Sequence, residues 1–349
     1  MKIAIVTDVH YGKNRNNPFL LKETGNFFRD NFFPTLKENG VTHIINAGDM
    51  FDARINLGMA AIDSYRETFE GPANELGIPI DHIIGNHDCL YESTNRVNSP
   101  KHIFKLNKVK IYETTTEIVI GGKKFLFVPW INQENHQHSL DMIANSDADY
   151  LIGHLQITGF DYGGTKSKGL EQALFKKYKL VMSGHFHKQQ KIGNIYYLGS
   201  PMILDWGEIE NEVGFHILDT ETGQLEFIPN YDNNHFMRVK YQNGIVAPKN
   251  MEGKNIKVFH GIKESETDFE RFVKDIQLQK PYDVTFVDET KTSIKEMINE
   301  SVDEEIQTKD IPDIIVNYVD KLDDETISSE FKDEVKDLLL KVYKEARKR

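Results

Sequence analysis

A single cysteine, Cys89, stands in the 349-residue chain. One thiol cannot close a disulfide within the chain, nor build a zinc site on thiolates. Such cysteine usage fits a reducing, intracellular compartment. Long apolar runs are also missing: none approaches the ~18 residues that a membrane span needs. The first residues, Lys2-Ile3-Ala4-Ile5-Val6-Thr7, read as a strand, not as the charged-then-apolar opening of a signal segment. A soluble cytoplasmic protein is expected. Positive charge is not in excess either, the formal net charge being −12. That excludes a polycation holding nucleic acid by bulk charge, but not a local basic face or a basic partner. No internal repeat or low-complexity tract is present. What remains, with 39% hydrophobic residues, is enough for a sizeable core and two or three domains.

One pattern recurs five times. An apolar run stops at a small cluster of residues able to bind a metal or move a proton. Ile83-Ile84 gives way to Gly85-Asn86-His87-Asp88, and Ile3 to Val6 is followed by Asp8 and His10. Ile44-Ile45 precedes Gly48-Asp49, and Leu151-Ile152 precedes Gly153-His154. Leu180 to Met182 precedes Gly184-His185-Phe186-His187. In an α/β chain this is the signature of buried parallel strands that deliver their C-terminal ends to an active site.

Collected, those ends carry Asp8, His10, Asp49, Asn86, His154, His185 and His187. Three oxygen donors and four imidazoles suit a pair of first-row divalent metals, manganese or iron, better than magnesium or calcium. An aspartate is a natural bridge between two such ions, and a neutral Asn ligand leaves the site able to accept a phosphate. Two close metal ions clamp the attacking and leaving oxygens of a phosphoryl displacement. A lone Asp-x-His or His-x-His is more often a solvated loop or a satisfied core histidine, and the weight lies in five ordered occurrences. His43 and His82 fall inside strand-like runs and read as structural. The remaining histidines have no comparable setting, and Cys89 reads as a buried or half-buried free thiol.

The surrounding pattern gives α/β architecture. Strands alternate with helices to about Val181, with helices expected over residues 18–39, broken or kinked at Pro34, and over 58–76. Hairpins dominate later, one of them turning at Gly121-Gly122. The expected fold is a four-layer α/β/β/α sandwich over residues 1–230. A small α+β unit follows at 231–290, then a helical tail at 291–349 with three apolar stripes. The tail nets 11 − 16 = −5 in charge.

The series Asp8-x-His10, Gly48-Asp49-x-x-Asp52, Gly85-Asn86-His87-Asp88, Gly153-His154 and Gly184-His185-x-His187 resembles the calcineurin-like metallophosphoesterase superfamily. Gly48-Asp49-Met50-Phe51-Asp52, Val128-Pro129-Trp130 and Tyr197-Leu198-Gly199-Ser200-Pro201 narrow the likeness to nuclease subunits of SbcCD-type DNA repair complexes. Within these it is most similar to the recombination nuclease subunits of large tailed phages. The resemblance implies that Asp8, His10 and His187 hold one metal, that Asn86, His154 and His185 hold another, and that Asp49 bridges them. It implies manganese as the metal and a metal-bound hydroxide as nucleophile. His87 is then the catalytic histidine, oriented by its neighbour Asp88. Some relatives have histidine where Asp52 stands, so Asp52 becomes a supporting group.

The implied activity is double-strand exonuclease and single-strand or hairpin endonuclease. The implied setting is the cytoplasm, that of the host if the gene belongs to a phage. The 231–290 unit becomes a cap directing DNA, and the tail a docking segment for an SbcC-like coiled-coil ATPase, with homodimerisation inside a heterotetramer. The loops at Lys13-Asn14-Arg15 and at 162–169 carry groups suited to holding phosphates. Two other readings compete. One is a small-substrate phosphodiesterase or phosphatase of the same superfamily, against which Asp52-Ala53-Arg54 departs from the Asp-Arg-Gly of the protein phosphatases. The other is an inactive scaffold binding DNA or the ATPase, which the complete ligand set opposes.

Overall fold

The computed structural model describes residues 1–289 except 234, 243–244 and 262–264, together with 332, 333, 335, 336 and 338. The three stripes of the helical tail fall outside the described residues, apart from Val335 and Leu338. The chain divides into Met1–Thr290 and Lys291–Arg349.

Two six-stranded sheets lie face to face. In the first, Lys2–Val6, His43–Asn46, Ile80–Ile83 and Val109–Tyr112 run parallel. Gly214–Asp219 lies antiparallel beside the first of these, and Leu225–Pro229 beyond it. In the second, Lys123–Val128, Tyr150–His154, Leu180–Gly184 and Ile195–Tyr197 run parallel, with Thr116–Ile120 and Gln190–Ile192 antiparallel at the edges. Strands covered on both faces lose the polar alternation of a half-exposed strand, which is why Lys2–Val6, Tyr150–His154 and Leu180–Gly184 read as nearly continuous apolar runs.

The period-two alternation of side chains separates the layers. Ile3 and Ile5 meet Phe125, Phe127, Ile152 and Met182 between the sheets. Ala4 and Val6 face the opposite way, onto Phe27, Phe28, Phe32, Phe69 and Tyr65 of the outer helices. On the far side, Leu126, Leu151 and Val181 pack on Ile143 of the helix His136–Asn145 and on Phe160 and Phe175. The α/β/β/α sandwich is thus present.

Pro34 does not break its helix. A π-helical turn, Phe27–Phe32, comes first, and the last helical segment, Phe33–Glu38, starts with Pro34 in its first turn. The backbone stays right-handed helical through Phe32 and Phe33, and the wider π turn, in which Phe33 N donates to Phe28 O, sits directly ahead of the residue that has no donor. Arg66–Glu70 does the same ahead of Pro72. Among the described residues no helix is long and apolar enough to cross a membrane.

Residues 236–288 build a three-stranded parallel sheet from Phe236–Lys240, Asn255–His260 and Asp283–Asp288. The helix Glu266–Leu278 covers it, with Phe272 and Ile276 buried against Val239, Ile256 and Val258. Its N-terminus is capped by Ser265, whose hydroxyl accepts from Asp268 N at 3.2 Å.

Candidate metal centre

The C-terminal ends of five parallel strands meet at one edge of the sandwich. The loops leaving the first two strands run side by side. Asp8 N donates to Gly48 O (3.1 Å), His10 N to Asp49 O (3.1 Å) and Tyr11 N to Met50 O (2.9 Å). The ladder is bought with backbone strain. Asp8 (φ 52°), His10 (52°), Asp49 (54°) and His185 (90°) all sit in the left-handed region. Each such residue costs about 1–3 kcal/mol and persists only where its surroundings fix it.

Two glycines show why a glycine precedes the ligand-type residue. A Cβ on Gly85 would overlap Asp49 Oδ1 and lie 2.6 Å from Asp49 N. A Cβ on Gly184 would overlap Thr7 Oγ1 and lie 2.9 Å from Asp8 Oδ2. Neighbouring strand ends touch here through bare backbone.

All seven expected ligand residues come together. His10 Nε2 and His187 Nε2 are 3.1 Å apart, and Asp8 Oδ1 lies 4.0 and 3.9 Å from them. Asp49 Oδ2 stands 3.8 Å from His10 Nε2 and 3.1 Å from His154 Nε2. Asn86 Oδ1 is 2.8 Å from His154 Nε2 and 3.1 Å from His185 Nδ1. Asp49 therefore lies between two groups, Asp8–His10–His187 and Asn86–His154–His185. Asp8, His10 and His187 converge tightly enough to hold one ion, as do Asp8, Asp49 and His154. His10, Asp49 and His87 form a third converging set.

The outward contacts fix which ring nitrogens carry hydrogen. His154 donates Nδ1–H to Ala47 O (2.9 Å), and His187 donates Nδ1–H to Glu208 Oε1. His10 Nδ1 lies 3.2 Å from Asp52 Oδ1. The deprotonated rings of His154 and His187 therefore present a lone pair at Nε2 to the centre. Carboxylate and carbonyl partners behind a histidine are the usual support of a metal-binding imidazole.

Lone pairs and carboxylate oxygens thus face one another in a buried space, an arrangement only positive charge relieves. The proton equilibria of the ion-free chain say the same. Burial pulls the His154 imidazole down, yet Asp49 overrides it and the pKa rises to about 9. His187 rises to about 10, burial being outweighed by Glu208. Burial would raise Asp49, but His154, His87 and His10 hold it well below the ordinary carboxylate range. Burial and neighbouring histidines keep His185 and His10 below theirs. The donor set and its chemistry fit two divalent cations.

His87 sits half-buried at the rim, its ring edge-on to His10 with centroids 4.7 Å apart. Its backbone N donates to Asp49 Oδ1 (2.8 Å) and its Nδ1–H to Asp52 O (2.7 Å). Nε2 is the nitrogen not engaged by that carbonyl. The expectation that Asp88 orients this ring is corrected here. The Asp88 carboxylate turns inward and accepts from Asp49 N (3.0 Å), Met50 N (3.2 Å), Gly85 N (2.9 Å) and His82 Nε2 (3.3 Å). The group that holds His87 is the carbonyl of Asp52.

Glu208 and Trp130 take places at the centre that sequence reasoning did not assign to them, and Lys13, expected to hold phosphate, stands beside them. Glu208, buried behind His187, also accepts from Leu204 N at 2.8 Å. The only signal for it was an acidic pair, Asp205 and Glu208, following the apolar Met202-Ile203-Leu204. Trp130 lies 5.1 Å from the His185 ring, its backbone pinned by Ile84, Asn95 and Asn135. Lys13 Nζ approaches Asp52 Oδ1 at 3.4 Å. The basic loop at 162–169 is partly ordered as a ribbon, Asp161–Tyr162 paired with Thr165–Lys166. Tyr162 rests on Phe186, between the two site histidines, at 5.1 Å. His43 and His82 are structural as expected, each bonded to a buried carboxylate, Asp81 and Asp88.

Residues 1–189 match the calcineurin-like phosphoesterase family. The chain is 31% identical over 296 residues to Exonuclease subunit 1 of Enterobacteria phage T4, covering 84% of each protein. It is 28% identical over 266 residues to the SbcD subunit of the SbcCD nuclease of Staphylococcus epidermidis, covering 66% of this chain and 69% of that one. Among solved structures, purple acid phosphatase PPD1 from yellow lupin aligns with 65% of this chain and 52% of its own, at 15% identity and a TM-score of 0.41.

Proposed function

This chain belongs to the calcineurin-like phosphoesterase family and is a metallophosphoesterase with nuclease relatives; from that premise we propose that it is the nuclease subunit of an SbcCD-like complex. In this reading it cleaves DNA phosphodiester bonds under the control of a coiled-coil ATPase partner. The observation that carries the reading is the convergence of Asp8, His10, Asp49, Asn86, His154, His185 and His187 as acceptors, with His87 at their open edge.

Asp8, His10 and His187 would hold one ion, Asn86, His154 and His185 the other, and Asp49 both, with manganese the proposed metal. When bound, such ions supply Lewis acidity at a phosphate and lower the pKa of water. The protein's own contribution is positioning. Asp52 O fixes the His87 ring through Nδ1, and from Nε2 a protonated imidazole can give its proton to the leaving oxygen of a diester. The Asp49 side chain, by accepting from His87 N, keeps that ring in register with the acceptor cluster. Asp88 anchors the backbone from which Asp49 and Gly85 project.

The same reading gives residues 1–230 the chemistry, 231–290 the guiding of DNA into the cleft, and 291–349 the ATPase contact, within a homodimer of such pairs in the cytoplasm. The Tyr162–Lys166 ribbon beside Phe186 is suited to holding the backbone of a substrate strand.

The test is hydrolysis by the purified chain with manganese, on a linear duplex and on bis-p-nitrophenyl phosphate side by side, with and without ATPase partner. Duplex cleavage lost in His87→Asn, with manganese binding retained, is the expected result. Turnover of the small diester alone, with no duplex cleavage even with the partner present, would move the assignment to a small-substrate phosphodiesterase.

A further inference from the structure

The metal centre and the small three-stranded unit are joined through one short segment. His187 rests on Glu208, and Glu208 belongs to a single 3-10 turn, Trp206–Glu208, capped by the Asp205 side chain on Gly207 N at 2.8 Å. The other end of that turn is held by the small unit. Arg238 Nη2 donates to Trp206 O at 2.6 Å, Lys257 Nζ lies 4.9 Å over the indole, and Phe236 meets its edge at 4.9 Å.

Just upstream, the connection into the small unit grips the same segment. Asn233 Oδ1 accepts from Ile203 N (2.9 Å), and His235 Nε2 lies 3.1 Å from Ile203 O. Asn230 donates to Pro201 O at 3.0 Å. Residues 201–208 are therefore clasped from the small unit's side, while Glu208 reaches across to the centre.

We infer that the Trp206–Glu208 turn couples the seating of His187 to the position of the small unit, with Glu208 as the positioning residue. The inference rests on the reading of His187 as a metal ligand. The physical reason is the shortness of the link. A tight single turn has no slack to absorb a shift of Trp206 without moving Glu208. The Nδ1 partner of a ligand histidine fixes both its tautomer and its ring angle. A small unit displaced from Trp206 would loosen His187, and an ion seated on His187 would favour the docked arrangement. Coupling of this kind is reciprocal.

The measurement is manganese affinity of the full chain, read from the electron paramagnetic resonance signal of free Mn²⁺, so that no catalysis is needed. Glu208→Gln should weaken one of two sites by about tenfold or more, within the range seen when such supporting partners are lost. Trp206→Ala should weaken the same site, and the double variant should be no weaker than Glu208→Gln alone. Arg238→Ala with Lys257→Ala gives a second route that leaves the indole in place, and should act in the same direction. The exposed Glu210→Gln serves as the surface control. Full affinity in both Trp206→Ala and the Arg238/Lys257 pair, with Glu208→Gln impaired, would refute the coupling. So would strict additivity in the double variant. A His187→Ala chain that binds manganese as well as wild type would instead overturn the ligand assignment itself.

Discussion

Asp88→Asn separates two roles for a carboxylate next to His87, the histidine proposed as catalytic. In the structure Oδ2 accepts from Asp49 N, Gly85 N and His82 Nε2, and Oδ1 from Met50 N. An amide has one oxygen. Placed at the Oδ2 position it keeps its three donors, now as neutral bonds of about half the strength. Its NH₂ then faces Met50 N, leaving a buried donor unpaired at a cost of about 1–3 kcal/mol. Together these predict a loss of about 3–5 kcal/mol, a large part of the 5–15 kcal/mol that stabilises a typical domain. The assay is urea unfolding of the chelator-treated protein, followed by circular dichroism, so that metal occupancy does not enter. The midpoint should fall with little change in slope. Manganese affinity, measured separately, should fall as well, because Asp49 hangs from the same backbone. Unchanged stability and unchanged affinity with hydrolysis abolished would mean that Asp88 acts chemically on His87, and the argument from its hydrogen bonds would be wrong.

Gly85→Ala should lower manganese affinity on the order of tenfold or more, since the new Cβ meets Asp49 backbone that cannot yield; normal metal content after dialysis would refute this. Manganese added to chelator-treated protein should raise the thermal midpoint, by the equivalent of about 2.7 kcal/mol per ion at a hundred times its Kd; no shift would show that the acceptor cluster does not bind it. His216 is buried, and burial pushes its pKa down to about 4 from 6.5. The unfolded chain binds the extra proton between those values, so stability is complete above about pH 6.5 and falls as pH drops toward 4. Between pH 7 and 5 the loss works out at roughly 2 kcal/mol. His216→Leu should shrink the pH 7-to-5 difference in unfolding free energy by that amount, and an unaltered difference would count against it.

The strand ends were legible because a parallel strand buried on both faces writes itself as an apolar run, and a ligand cluster at its end interrupts it at once. The seven acceptor residues could be gathered on that basis alone. Asp88 misled because adjacency in sequence says nothing about direction: in the Asn86–Asp88 turn one side chain points to the rim and the next toward the backbone beneath. Glu208 was out of reach for the opposite reason. It lies far along the chain from His10 and Asp8, and only tertiary packing brings it behind His187. Pro34 suggested a break because sequence shows the missing N–H, not the π turn that carries the helix past it. The ribbon at 161–166 read as a flexible basic loop, since two-residue strands leave almost no periodic trace.

The place of the first strand in its sheet has a consequence for how the molecule comes into being. Lys2–Val6 is an interior strand, and one of its two neighbours, Gly214–Asp219, is made late: Lys2 pairs with Asp219, and Thr220 N closes onto Met1 O at 2.9 Å. A chain still emerging from the ribosome therefore has an open sheet edge at the strand that carries Asp8 and His10. It lacks His187 and Glu208 until just before that edge is sealed. Pairings of such sequence separation must overcome a large loop-closure entropy before contact is made, which makes them intrinsically slow. A growing chain leaves the ribosome with its acceptor cluster still in pieces, and the cluster is complete only when the sandwich is whole.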